Sequence, residues 1–330
     1  ASQTTDAQIM QYGADYLSIC TLWCMGLFLQ CMLEKLLVAT GRSAFAMASQ
    51  LIGALVNIAL DLLFVAKFGM GVYGAAWATV IALALSWLCS IWYIRRYAPE
   101  LEFPLLPHRF DGKTLRKMIQ IGLPLGMNTA LYSTGHLILQ ILFNLQGSTF
   151  VAGCSVAGKV TSLANLAIAS LSSTMTVFSG QNLGAGNYRR LCRSAWLIPL
   201  SAGAITLSAG ILVTIFCNPL LALFTHDTAV LAFATRYIHI VLPFTWMYAI
   251  MNVIMCFANG IGEIKYPTIV NLFILWGVRI PVAYLLSRLG YGGYAMASVP
   301  LSFLAGMILM LFYFRTKRWA KLCALAKNEP

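Results

Sequence analysis

Five polar side chains recur at strict i, i+4 spacing within an otherwise apolar stretch: Asn128, Tyr132, His136, Gln140 and Asn144. On a helix each step of four residues drifts by about 40°, so the five make a stripe over roughly half of the surface. They offer amide, phenol and imidazole groups, which donate and accept hydrogen bonds. The imidazole of His136 has an unperturbed pKa of about 6.5, so it can serve as a proton sensor or simply as a hydrogen-bond donor. Such groups are costly on a membrane helix unless they face a partner or a watery cavity. Glue between helices is the bland alternative, but five in a row on one face favour a cavity lining. A second stripe, Thr245, Tyr248, Asn252, Cys256 and Asn259, is evenly open between the two, and Asn259 also suits a helix cap.

Charged side chains inside apolar stretches are few. Glu34 and Lys35 lie near the end of one stretch, where they can snorkel to the surface. Asp61 follows Asn57 by one helical turn, and Lys159 and Arg279 lie deeper. Each of Glu34, Asp61, Lys159 and Arg279 is a candidate for ion coupling by default, with a mutually neutralising structural pair equally open. Asp15 and Arg236 read as solvated or locally paired at an outer rim.

Other chemistries have nothing to stand on. There is no G-x-x-x-x-G-K-[ST] phosphate loop, no H-E-x-x-H, no G-x-S-x-G and no Cys/His ligand set. The nine cysteines lie mostly within apolar stretches, where thiols behave as small apolar groups. No enzymatic activity, cofactor or metal is expected, and transport driven by an ion gradient is the economical reading.

These residues must be held by membrane helices. Sixty per cent of the chain is apolar and 10% is charged, and runs of about 20 apolar residues are what a bilayer-spanning helix needs. Nine spans are expected, near residues 14–38, 44–66, 73–94, 118–145, 150–180, 194–220, 229–258, 266–287 and 292–314. The net charge of +12 comes from basic residues in the breaks, which is topology rather than a nucleic-acid stripe. The break 95–117 carries six of them and three prolines, so it reads as a cytoplasmic linker. Counting outward from it puts 16 basic residues inside against 3 outside.

The chain also repeats itself. Shifted by 221 positions, Tyr16 to Ala76 lands without a gap on Tyr237 to Ala297. Gly41 meets Gly262, Gly69 meets Gly290 and Tyr73 meets Tyr294, at places where apolar runs break and the chain must turn. The segment 118–314 then forms one complete six-span unit and residues 1–94 the last three spans of another. At face value about 105 residues are missing in front of Ala1. Two such units would be related by a two-fold axis along the membrane normal around a central cavity. Residues 315–330 make a basic cytoplasmic tail.

The turn Gly180-Gln181-Asn182-Leu183-Gly184-Ala185-Gly186-Asn187 resembles the cytoplasmic signature of the multidrug and toxic compound extrusion (MATE) transporters. So do Asn57-Ile58-Ala59-Leu60-Asp61 with Gly71-Val72-Tyr73-Gly74-Ala75-Ala76, Gly122-Leu123-Pro124, and Gly277-Val278-Arg279-Ile280-Pro281. The resemblance implies an all-α membrane protein of twelve spans in two lobes, exporting cationic amphipathic compounds in exchange for H+ or Na+ by alternating access. The spans 118–145 and 229–258 lack the carboxylates of the NorM branch, so the chain is more similar to DinF-like bacterial members. In those, a carboxylate on the first span of the first lobe is central, and that span is not in this chain.

The expected protein is thus a monomeric, multi-pass transporter of the inner (plasma) membrane, with small-molecule cargo and lipids as its partners. A lipid-linked oligosaccharide flippase is the nearest alternative; there, Lys159 and Arg279 would meet a pyrophosphate. A non-transporting scaffold is less favoured, because an inert bundle needs no wet interior.

Overall fold

Glycines decide where several helices stop. Gly41, with φ of 83°, and Gly262, with φ of 78°, take the left-handed conformation that side chains resist. At each an equivalent bond closes the helix: Arg42 N to Leu37 O at 2.8 Å, and Glu263 N to Ala258 O at 2.8 Å. Gly69 and Gly290 are likewise left-handed, at 65° and 81°. The turn geometry therefore recurs at these repeat-equivalent positions.

The computed structural model describes residues 7–99, 111–316, 319–321 and 324–325. Residues 100–110 of the expected linker 95–117, and most of the basic tail, lie outside the described residues. Within them the secondary structure is helical throughout, with no strand. The chain forms two compact units, Ala1–Phe110 and Asp111–Pro330.

The first unit holds α1 (Ala7–Leu22), α2 (Cys24–Ala39), α3 (Ser43–Asp61, prolonged by a π-helical turn Leu62–Lys67) and α4 (Gly71–Tyr97). Leu33, Leu37, Ala46, Ile91 and Ile94 make its apolar core. A buried amide stitches it together: Gln30 Nε2 donates to Ser86 Oγ at 2.8 Å, and Ser86 Oγ donates to Ser49 O at 2.9 Å. Side-chain hydrogen bonds of this kind hold apolar helices together where burial of oil against oil contributes little.

The second unit runs α5 (Gly112–Asn144), α6 (Ser148–Gly184), α7 (Tyr188–Ile215), the short α8 (Cys217–Ala222), α9 (Thr228–Val241) and α10 (Thr245–Gly260). Then come α11 (Lys265–Leu272), a π-helical segment Phe273–Arg279, α12 (Ile280–Arg288), a 3-10 stretch Gly292–Ala297 and α13 (Ser298–Phe312). Helix α10 is the hub, packed on α6, α7 and α13 through Met251, Val253, Ile254 and Phe257. Gly260 lets α10 approach α6, since a Cβ there would overlap the Ser179 side chain. Large apolar side chains such as Leu55, Leu200 and Ile211 face outward, a surface that lipid satisfies and water does not.

Six helices or joined helices are long and apolar enough to cross a membrane, and up to eight are if each of two bent pairs makes one span. The expected spans 14–38 and 150–180 are these bent pairs, angled by 56° at Leu22–Trp23 and by 51° between Ser162 and Asn165. Neither bend sits at a proline. The remaining expected span, 118–145, lies in the 33-residue α5, whose polar stripe dilutes its apolar character.

Candidate functional site

The site is built where α5 meets the π-helical segment. Pro281 has no N–H to bond back to residue 277, and the chain just before it is wound as a π-helix, a widening common where side chains must be re-aimed. Gly135 allows close approach: a Cβ there would come within 2.5 Å of Leu275 Cδ2. Trp276 Nε1 donates to Leu131 O across the same contact at 3.3 Å. The π segment ends on Arg279, which is only 6% exposed. Its Nε and Nη2 both donate to Ser302 Oγ of α13, at 3.0 and 2.8 Å. Its guanidinium lies 5.5 Å from the ring centre of Phe303, a favourable cation–π separation.

Beside it opens a cavity of about 510 Å³, large enough for a small organic molecule. Helix α5 contributes Tyr132, His136 and Gln140, α6 contributes Asn165, and α10 contributes Tyr248 and Asn252. Tyr237 of α9 and Phe303 of α13 complete the aromatic lining, and Leu139, Phe143 and Ile168 supply apolar wall. Asn252 is fixed on two sides: its Oδ1 accepts from Ser172 Oγ at 2.6 Å and its Nδ2 donates to the Tyr248 hydroxyl at 3.2 Å. The rings of Tyr132 and His136 lie 5.2 Å apart, tilted by 57°, and those of Tyr248 and Phe303 5.0 Å apart, tilted by 35°. Among the described residues Arg279 is the one permanent charge in the lining. This is a wall of aromatic surfaces with a few placed polar groups, suited to reversible binding.

Of the residues singled out in sequence, Tyr132, His136, Gln140, Tyr248, Asn252 and Arg279 come together here. Asn128 does not line the cavity, and its Oδ1 is buried without a hydrogen-bond partner. Asn144 only accepts from Gln140, at 3.0 Å, and Thr245 bonds back to Val241 O. Lys159 is exposed, with Nζ over the Phe224 ring at 5.6 Å, and is not among the residues that line this cavity. Asn165 and Tyr237 were missed. Neither belongs to a polar stripe of regular spacing, and only three-dimensional packing brings them to the cavity.

In the first unit a smaller cavity of about 260 Å³ is lined by Gln30, Glu34, Gln50, Asn57 and Ser86 among others. Glu34 accepts from Gln50 Nε2 at 2.6 Å and pairs with Lys35 at 3.3 Å. Asp61 is outside that lining, and its Oδ1 is buried without a partner, as is Asn57 Nδ2 one turn earlier. Asp15 accepts from the Tyr73 hydroxyl at 2.8 Å. Arg236 lies over Tyr294 at 5.0 Å. Among the described residues no three His, Cys, Asp or Glu side chains gather to hold a metal ion.

Comparison with known proteins agrees with this architecture. The MatE family model matches residues 124–285. The probable multidrug resistance protein YoeA of Bacillus subtilis (strain 168) is 27% identical over 326 residues, covering 94% of this chain and 69% of the relative. The probable multidrug resistance protein NorM of Haemophilus ducreyi is 30% identical over 332 residues, covering 92% and 69%. Among solved structures, an outward-facing MATE family transporter of the MOP superfamily superposes with a TM-score of 0.83 at 20% identity, over 95% of this chain and 70% of that one. A MOP superfamily transporter from Pyrococcus furiosus Vc1, described as having a binding pocket of reversed polarity, reaches 0.87 at 19% identity, over 98% and 72%. The chain belongs to the MATE family, whose members are membrane-embedded transporters and not enzymes.

Proposed function

We propose that this chain works as a secondary active antiporter, exporting amphipathic organic compounds in exchange for H+ or Na+ by alternating access. The observation that carries the reading is the polar and aromatic cavity of about 510 Å³ inside a bundle of apolar helices. An inert bundle would fill that space with packed side chains. The relatives' names, multidrug resistance proteins, support export of foreign compounds. The absence of Asp and Glu from α5 and from the segment 229–258 supports a DinF-like rather than a NorM-like member. Candidates for ion coupling are Glu34 and Asp61 of the first unit, where Asp61 carries an unpartnered buried oxygen.

The family resemblance brought with it a cationic cargo. The second-unit cavity does not favour one, because its permanent charge is positive. One observation favours a second reading, a lipid-linked oligosaccharide flippase: Arg279 is a cation suited to a phosphate. Against it, Lys159, the other cation such a reading uses, lies away from the cavity.

The test is accumulation of two dyes, cationic ethidium and anionic carboxyfluorescein, in cells expressing the full-length protein. Expression should lower accumulation of at least one, and collapsing the proton and sodium gradients should restore it. Equal accumulation of both with and without the protein sinks the reading. In the same cells, impermeant thiol reagents should reach cysteines placed at Ser148 and Tyr291 from outside, and one placed at Asn187 only after permeabilisation, if the basic breaks face the cytoplasm.

A further inference from the structure

A guanidinium carries five N–H donors, and Arg279 uses two of them on Ser302. Among the described residues the other three find no protein acceptor, although Arg279 is only 6% exposed. Its neighbours in the lining, among them Tyr132, His136, Tyr248 and Asn252, carry no carboxylate. Among the described residues the ion pair is Lys35 with Glu34, in the other unit. Taking a charge out of water is expensive unless an opposite charge and hydrogen bonds meet it. Among the described residues no such anion stands beside it, and an open cavity does instead.

We infer that the second-unit cavity takes an anionic headgroup, a carboxylate, sulfonate or phosphate, carried on an apolar body. The forked donors of Arg279 match two oxygens of such a group. Ser302 and the Phe303 ring hold the fork still, so little freedom is lost on binding. Tyr132 and His136 stand beside it as further hydrogen-bonding groups, and Leu139, Phe143 and Ile168 take the body. The inference rests on the reading of this cavity as the cargo site and names the class of cargo. A free amphiphile and an anionic lipid present the same chemistry to it.

The test uses purified full-length protein in phosphatidylcholine nanodiscs and titration calorimetry with three size-matched probes. These are naphthalene-2-sulfonate, 2-naphthyltrimethylammonium and naphthalene-2-methanol. The sulfonate should bind at least about ten-fold more tightly than the ammonium, as forked charge-assisted bonds allow. The preference should vanish in Arg279→Gln and survive in weakened form in Arg279→Lys. Ammonium bound as tightly as sulfonate by the wild type, or a preference untouched in Arg279→Gln, overturns the inference. If Arg279→Gln does not fold, the wild-type order of the three probes decides alone. Adding phosphatidylglycerol to the discs separates the sources, and both results support an anion site: competition assigns the headgroup to lipid, and unchanged binding assigns it to a free amphiphile. Dye export without sulfonate preference removes the anion site and keeps the transporter. Sulfonate preference without any export does the reverse.

Discussion

The Ser302 hydroxyl accepts two hydrogen bonds from Arg279, from Nε at 3.0 Å and from Nη2 at 2.8 Å. The two residues belong to different elements, the π-helical segment and α13, so the pair both fastens those elements and aims the charge. Ser302→Ala should leave the cation in place but unheld. Hydrogen bonds to a charged group contribute about 1.5–3 kcal/mol, so the unfolding midpoint in detergent should fall by several degrees. Sulfonate binding should weaken as well, and Ser302→Thr should restore much of both. An unchanged midpoint and unchanged affinity in Ser302→Ala would show the pair to be incidental.

Gly135 sets how closely α5 approaches the π segment. The Cβ of Gly135→Ala would sit 2.5 Å from Leu275 Cδ2, and Leu275 is fully buried. Overpacking of this kind costs about 1–3 kcal/mol. The expected result is reduced thermal stability together with altered cavity binding, since His136 is the next residue. Gly126→Ala, on the same helix with open space around it, is the control and should behave as wild type. If both variants match the wild type, the close approach is not needed.

The helix-ending glycines offer a paired test. Gly41→Ala and Gly262→Ala force a side chain into φ of 83° and 78°, at a cost of about 1–2 kcal/mol each. Gly41 stands in open surroundings, so there the whole effect should come from backbone strain. Gly262→Asn should recover part of it, because Asn tolerates the left-handed region. Equal stability of the Ala and Gly forms would contradict the assignment.

These glycines also show what the sequence could tell. Gly41 with Gly262 and Gly69 with Gly290 were legible because a break in an apolar run must be made by the residue that tolerates it. The pair Tyr73 and Tyr294 was legible as a repeat, but not its partners' chemistry: Tyr73 bonds to Asp15, whereas Tyr294 lies under Arg236. The stripe on α5 was legible because polar residues at regular spacing stand out against an apolar background. Asn165 and Tyr237 had no such pattern. Lys159 looked as deep as Arg279, because depth in sequence says nothing about which side of a helix faces out. The bends in α1–α2 and α6 carry no proline, so packing rather than local sequence makes them. The π segments were missed because an extra residue per turn leaves no signature besides the proline that follows one of them.

The start of α5 has a pH dependence of definite sign. Asp111 caps the helix, accepting from Thr114 Oγ1 at 2.5 Å and from Lys113 N at 3.0 Å. The Thr114 hydroxyl first, and then the Lys113 amide, hold its carboxyl below the ordinary range. A depressed folded pKa means that capping is fully present above the unfolded value and is lost as pH falls through the folded one. Amide exchange at Lys113, corrected for intrinsic rate, should therefore be slow near neutrality and accelerate in acid. Asp111→Asn should stay protected at both, since it caps without titrating. The same acid loss in Asp111→Asn would place the change elsewhere.

The central claim is that the second-unit cavity holds the cargo. Ala169 lines it and is exposed, so maleimide labelling of Ala169→Cys, read by peptide mass spectrometry, reports its occupancy. Ser148→Cys, at the exposed turn that opens α6, is the control. A compound that the protein exports should slow labelling at 169 over the same concentrations that saturate its transport, and leave labelling at 148 unchanged. Labelling at 169 that stays at full rate while transport is saturated would contradict the account.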